Sequence, residues 1–116
     1  DIDIIRLVAP TTNAKRAKEI CSQCSGYVYY ISVKGITGAG NLNAEEVIGK
    51  VGVLRKLTDL PIAIGFGIKD AESASSVMNV ADGIVAGSVF VDLIGKNENV
   101  IKNVALKTRE LSEVLN

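Results

Sequence analysis

Two short segments pair glycine with the start of a helix. "GFGIKD", Gly65 to Asp70, follows the apolar "PIAI", and "GSVFV", from Gly87, follows "DGIVA". Glycine lets a backbone approach a ligand closely, and the first amides of a helix have no intrahelical partner. Two such loops side by side form a cup for a phosphate dianion without Arg or Lys, and Ser88 adds a hydroxyl donor. A tight strand-to-helix turn accounts for one such loop. The pair, with Ser88, matches the phosphate site at the last two strands of a βα barrel. A third glycine-rich segment, "GITGAGN" from Gly35 to Asn41, stands at the end of another strand-like run.

Neither nucleotide-binding pattern is complete. "GFGIKD" lacks the third glycine of G-x-G-x-x-G, and "GITGAGNL" has Asn41 and Leu42 where a P-loop needs Lys and Ser or Thr. The chain of 116 residues contains no histidine. Histidine triads and histidine-ligated metals are therefore excluded for this chain. Proton transfer near neutral pH falls to a perturbed carboxylate, lysine, tyrosine or cysteine, or to a substrate group. Cys21 and Cys24 form a C-x-x-C. No second pair completes a zinc site, and a helix C-terminus opposes thiolate, so they read as two reduced structural thiols.

The elements that must position these loops alternate strictly. Strands are expected over Asp3–Ala9, Tyr27–Ser32, Pro61–Gly65 and Asp82–Gly87. Helices are expected over about 13–24 with Thr12 as N-cap, over 44–58 with Asn43 as N-cap and Glu46 at N3, from Asp70 to about 80, and from about 97. In the last helix Ile101, Val104, Leu111 and Leu115 fall near one face. Near-continuously apolar strands alternating with helices indicate parallel strands buried on both faces. A small doubly wound sheet and half of an eight-stranded barrel both fit, and the paired phosphate loops favour the barrel. Period-2 alternation puts Tyr27 and Tyr29 on one face of their strand, Tyr29 nearer the ligand end.

Composition fixes the class. Apolar residues make up 47%, charged residues 22%, and the formal net charge is zero, which argues against a basic nucleic-acid surface or a polybasic anchor. No apolar run reaches the length of a membrane span, no signal-peptide pattern opens these 116 residues, and they contain no N-x-[ST] acceptor. A cytoplasmic location is the expectation, with no nucleic-acid or membrane partner.

"LVAPTT", "GYVYYISVKGITGAGN", "GFGI" and "GIVAGSVFV" resemble, in order and spacing, the alpha subunit of tryptophan synthase. The resemblance covers the whole chain but only the C-terminal half of that family's (βα)8 TIM barrel, so residues 1–116 are expected to supply about four C-terminal βα units. It implies cleavage of indole-3-glycerol phosphate to indole and glyceraldehyde 3-phosphate by the complete barrel. It also implies a beta-subunit partner that carries the pyridoxal phosphate, with no cofactor or metal in this chain. It implies that Gly38, Gly65, Gly67, Gly87 and Ser88 surround the substrate phosphate, with Phe66 between two of them. Tyr29 lines the substrate site, and Thr37 lies in a mobile loop that closes on substrate. Val33 stands where the family usually has arginine, with Lys34 beside it. The family's catalytic glutamate and aspartate belong to the N-terminal half, and no carboxylate here sits in a matching motif.

Four parallel strands cannot close a barrel, and their inner face would be apolar. The chain, opening at Asp1 within the βα rhythm, therefore reads as half of a longer polypeptide that associates with its other half or with itself. Two alternative functions are a non-catalytic sugar-phosphate-binding half-barrel and another phosphate-binding TIM barrel.

Overall fold

Parallel strands cannot be joined by hairpins, so each link must cross over one face of the sheet, and a helix is the usual link. The computed structural model describes residues 1–32, 44–65 and 67–115. The order is β1 (Arg6–Val8), α1 (Ala14–Ser22), β2 (Val28–Ile31), α2 (Ala44–Arg55), β3 (Ile62–Gly65), α3 (Ala71–Ser75), β4 (Gly83–Val85), α4 (Ser88–Gly95) and α5 (Val100–Val114). The strands pair in parallel in the order β1-β2-β3-β4. Consecutive neighbours all in one direction, with no reversal of strand order, make a segment of a (βα)8 TIM barrel rather than a doubly wound sheet.

Register divides the sheet into two faces. Val8, Tyr30, Ile64 and Ile84 lie in one row, and Val28 pairs with Ile62 in the row below. This face is packed under helices: Val28, Tyr30, Ile62 and Ile64 are buried with Ala17 and Cys21 of α1, Val47, Val51 and Leu54 of α2, and Leu111 of α5. Each large aliphatic chain so covered contributes about 1.5–3 kcal/mol. The other face carries Leu7, Tyr29, Ala63 and Gly83 in one row and Ile31, Gly65 and Val85 in the next. Leu7 is 53% exposed there. An open cleft of about 340 Å³ runs along the N-terminal ends of β2, β3 and β4.

One cap differs from the expectation. Asn13, not Thr12, caps α1, its side chain accepting the Arg16 amide at 2.8 Å. Thr12 instead accepts the Ala9 amide at 3.1 Å, closing the turn after β1. The expected cap of α2, Asn43, lies outside the described residues. In α5 the buried side runs through Val104, Lys107, Leu111 and Val114, while Ile101 is 88% exposed and Leu115 44%. The helix starts three residues later than expected, after Asn97 and Asn99 at positive φ, and one position of phase moves Ile101 off the packed stripe.

Polar links hold the ends of the strands. The Asp82 carboxylate accepts the Ile62 amide at 2.8 Å and pairs with Arg55 of α2 at 2.6 Å, which holds it below the usual carboxylate range. Cys24 Sγ donates to the Tyr27 carbonyl and accepts the Arg6 amide, tying the end of α1 to β1 and β2. Burial pushes the Cys21 thiol up, with Cys24 adding to the shift. Both features fit reduced structural thiols.

Gly52 sits inside α2 with open space where a Cβ would go. Gly52→Ala should therefore stabilise the protein by about 0.5–1 kcal/mol. A chemical denaturation midpoint that rises without a change in slope is the expected result.

Candidate functional site

Every parallel strand ends at the same edge of the sheet, so the segments after β2, β3 and β4 are neighbours there. Gly65 ends β3 directly beside Ile31 of β2 and Val85 of β4. Gly67 lies two residues beyond β3, and Gly87 two residues beyond β4. The structure thus brings Tyr29, Gly65, Gly67, Gly87 and Ser88 to one edge. Thr37, Gly38 and Phe66 lie outside the described residues, as do Val33 and Lys34.

Gly65 lacks a side chain for a reason the sequence did not disclose. A Cβ built there would fall on the Tyr29 ring and hydroxyl. Tyr29 projects from the uncovered face and leans across the end of β3, so its hydroxyl reaches the edge where the loops gather. That hydroxyl makes no hydrogen bond with another described residue. Gly67 is different: its φ of 83° is a conformation that L side chains rarely adopt.

Ser32 locks the two strands that frame this corner. Its amide donates to the Gly65 carbonyl at 2.9 Å and its hydroxyl donates to the same oxygen at 2.7 Å. Both donors are buried, so the pair fixes the end of β3 against the end of β2. Sequence reasoning passed over Ser32. The available signal was a serine closing the strand "VYYI" shortly before a glycine-rich segment.

The two helix starts at this edge are not equivalent. At α3, Asp70 accepts the Ser73 amide at 2.8 Å, and the Ser73 hydroxyl accepts the Lys69 and Asp70 amides. Glu110 of α5 accepts the Ala71 amide at 2.8 Å. The Ser73 amide and hydroxyl hold Asp70 below its ordinary range, and Lys107 with the Ala71 amide does the same for Glu110. Two carboxylates thus engage the Ala71 and Ser73 amides of α3, and with Glu72 in its first turn this start carries negative charge that disfavours an anion.

At α4 the opposite holds. Its N-cap is Gly87, no side chain caps it, and no acid lies in its first turn. Ser88 is the first helical residue rather than the cap, which removes the simplest structural role for its hydroxyl. The Phe90 and Val91 amides both turn back to the Gly87 carbonyl. The amides of Ser88 and Val89 remain without an intrahelical acceptor. Gly87 and Ser88 are both exposed. An eight-residue helix with bare, uncharged ends of this kind favours an anion at its start.

Among the described residues no group of three His, Cys, Asp or Glu could hold a metal ion, and no helix is long and apolar enough to cross a membrane. The chemistry this edge can perform is recognition of an anion by backbone donors and a hydroxyl, beside an aromatic floor.

The contact between Tyr29 and Gly65 has a measurable consequence. Gly65→Ala should destabilise the protein by about 1–3 kcal/mol through overpacking. Combining it with Tyr29→Ala should cost less than the sum of the single changes, because the two side chains compete for one space. Additive losses in a denaturation cycle would mean that Gly65 serves only its own turn.

The sequence profile of the family described as "Tryptophan synthase alpha chain" matches residues 1–116. The tryptophan synthase alpha chain of Marinobacter nauticus is 47% identical over 97 residues, which cover 84% of this chain and 36% of the relative. That of Thioalkalivibrio sulfidiphilus is 48% identical over 97 residues, with the same shares covered. The chain therefore spans about 36% of the length of these curated relatives. Among solved structures, the tryptophan synthase A-subunit of Pyrococcus furiosus superposes with a TM-score of 0.78 at 27% identity, over 97% of this chain and 45% of that one. A Mycobacterium tuberculosis tryptophan synthase structure gives a TM-score of 0.83 at 27% identity, over 98% and 42%. With the profile matched from end to end and curated relatives 47–48% identical over 84% of its length, this chain belongs to the tryptophan synthase alpha chain family.

Proposed function

We propose that residues 1–116 are the C-terminal half of an alpha-type barrel in tryptophan biosynthesis and supply its phosphate-binding half. The complete barrel, in the cytoplasm and paired with a beta subunit, would cleave indole-3-glycerol phosphate to indole and glyceraldehyde 3-phosphate. One observation carries this reading: an open, acid-free start of α4 at Gly87 and Ser88, next to the loop at Gly67. The Gly67, Gly87 and Ser88 amides and the Ser88 hydroxyl hold the phosphate. The family resemblance adds Gly38 to the phosphate site, gives Thr37 to the segment that closes on substrate, and has Tyr29 line the substrate site.

The division of labour follows from the residues present. Carbon–carbon cleavage requires proton transfers at the indole nitrogen and the glycerol hydroxyl, and positioned carboxylates perform these best. Two acids at this edge, Asp70 and Glu110, are already committed to α3 amides. The family resemblance assigns the catalytic carboxylates to the other half of the barrel, which would also cover Leu7 and Tyr29. This half contributes binding energy at the phosphate, remote from the bond that breaks, and so orients the substrate. The beta subunit carries the pyridoxal phosphate, and no step in this chain uses it.

In the complete barrel, Ser88→Ala should weaken binding of the phosphorylated substrate about 10- to 150-fold, the value of one charge-assisted hydrogen bond. Because Gly87 is the helix cap, melting should change by less than about 0.5 kcal/mol. Binding of indole itself should be unchanged. A loss of stability with substrate affinity retained would assign Ser88 a structural role and remove it from the site.

A further inference from the structure

The outward face of α2 does not suit a helix that packs on one side only. Val47, Val51 and Leu54 are buried against the rest of the core. Ile48 and Val53, on the other side, are 43% and 47% exposed. A surface helix ordinarily turns polar residues to solvent, and one that is apolar on both sides is covered on both. Between Ile48 and Val53 stand Gly49 and Gly52, both exposed, with nothing within 4 Å of where a Cβ would lie. Glycine weakens a helix interior, and alanine would fit here without contact. Bare backbone at these positions serves the close approach of another body.

Completion of the barrel would not cover this face. The helix links β2 and β3, the two central strands, and packs on the helix-covered side of the sheet. Further strands can join only at the free edges of β1 and β4, and their interior would close over the opposite face.

Charge and residue order select the occupant. Glu45 and Lys56 are exposed, and neither makes an ion pair among the described residues. Lys56 stands in the turn that continues α2, its amide donating to the Val53 carbonyl at 3.1 Å. At about 100° per residue, Glu45, Gly49, Gly52 and Lys56 fall within roughly 60° of one another, with Ile48 and Val53 on either flank. The order is symmetric about the midpoint between Lys50 and Val51. Glu45 mirrors Lys56, Ile48 mirrors Val53, and Gly49 mirrors Gly52.

An antiparallel copy, turned about a two-fold axis through that midpoint, therefore sets Glu45 against Lys56 at both ends. It also lays Ile48 over the bare backbone at Gly52 of the second copy, and Val53 over that at Gly49. A parallel copy would set like charges against each other.

We propose that the outward face of α2 is a homodimer contact, made by antiparallel pairing with α2 of a second copy of this chain. A twelve-residue helix is about 18 Å long, short for the roughly 1,200–2,000 Å² of a standard interface, so the pair is weak and transient.

The test follows the α2 amide shifts of the full-length polypeptide that contains these residues as its concentration rises. Up to about 1 mM, Ile48, Gly49, Gly52 and Val53 should move together along one self-association curve. Glu45→Lys and Lys56→Glu should each self-associate about 5- to 50-fold more weakly, because both end contacts turn from attraction to repulsion. Mixed in equal amounts, the two variants should pair with each other as the parent pairs with itself, since each supplies the charge the other lacks. Gly52→Ala, which should stabilise the fold, should nonetheless weaken the pair by crowding Ile48 of the second copy. Parent shifts that ignore concentration, undiminished self-association of either charge variant, or variants that fail to pair when mixed would each overturn the proposal. So would a Gly52→Ala protein that pairs as well as the parent.

Discussion

Parallel pairing of the four strands is the constraint on which the rest of this structure depends. Because each strand must return to the same end before the next begins, the links cross the sheet as helices and cover one face. The same rule gathers the segments after β2, β3 and β4 at one edge, however far apart they lie in sequence. Everything proposed about the phosphate follows from that edge. So does the uncovered face of the sheet, which carries Leu7 and Tyr29.

At the edge itself, small groups rather than charges do the positioning. Ser32 gives two hydrogen bonds to one carbonyl and so fixes where β3 ends. That end must be glycine because Tyr29 already fills the space above it. The contrast between the two helix starts then selects the anion site. Asp70 and Glu110 engage two of the first amides of α3, while Gly87 leaves α4 without a side-chain cap. An arginine is not required when oriented amides are left without competitors.

Much of this was legible in the sequence, and the exceptions share a cause. The alternation of apolar runs and helical patterns gave the element order, Asp70 gave its cap, and the spacing in "GSVFV" gave a helix start at Ser88. Period 2 along "YVYY" separated Tyr29 from Tyr30, and the register puts Tyr29 in a row with Leu7, Ala63 and Gly83, opposite the helix-covered face. The missed features all depend on contacts between distant residues. Gly65 reads as a loop glycine until β2 is laid beside β3, and only then does Tyr29 explain it. The commitment of Glu110 to Ala71 spans 39 positions and has no local signature. Asn13 displaced Thr12 as cap because two adjacent residues of similar chemistry competed, and the turn after β1 needed the threonine. The exposed Ile101 shows how one residue of helical phase changes a face.

The central claim is that amides at two adjacent strand ends, and not a charged side chain or the start of α3, hold the phosphate. Amide chemical shifts of the full-length protein titrated with inorganic phosphate test it directly. Gly67, Gly87 and Ser88 should move together along one saturation curve, while Ala71 and Ser73, already bonded to Glu110 and Asp70, stay still. Movement centred on Ala71 and Ser73, or on Lys34 with Gly87 and Ser88 silent, would contradict the account.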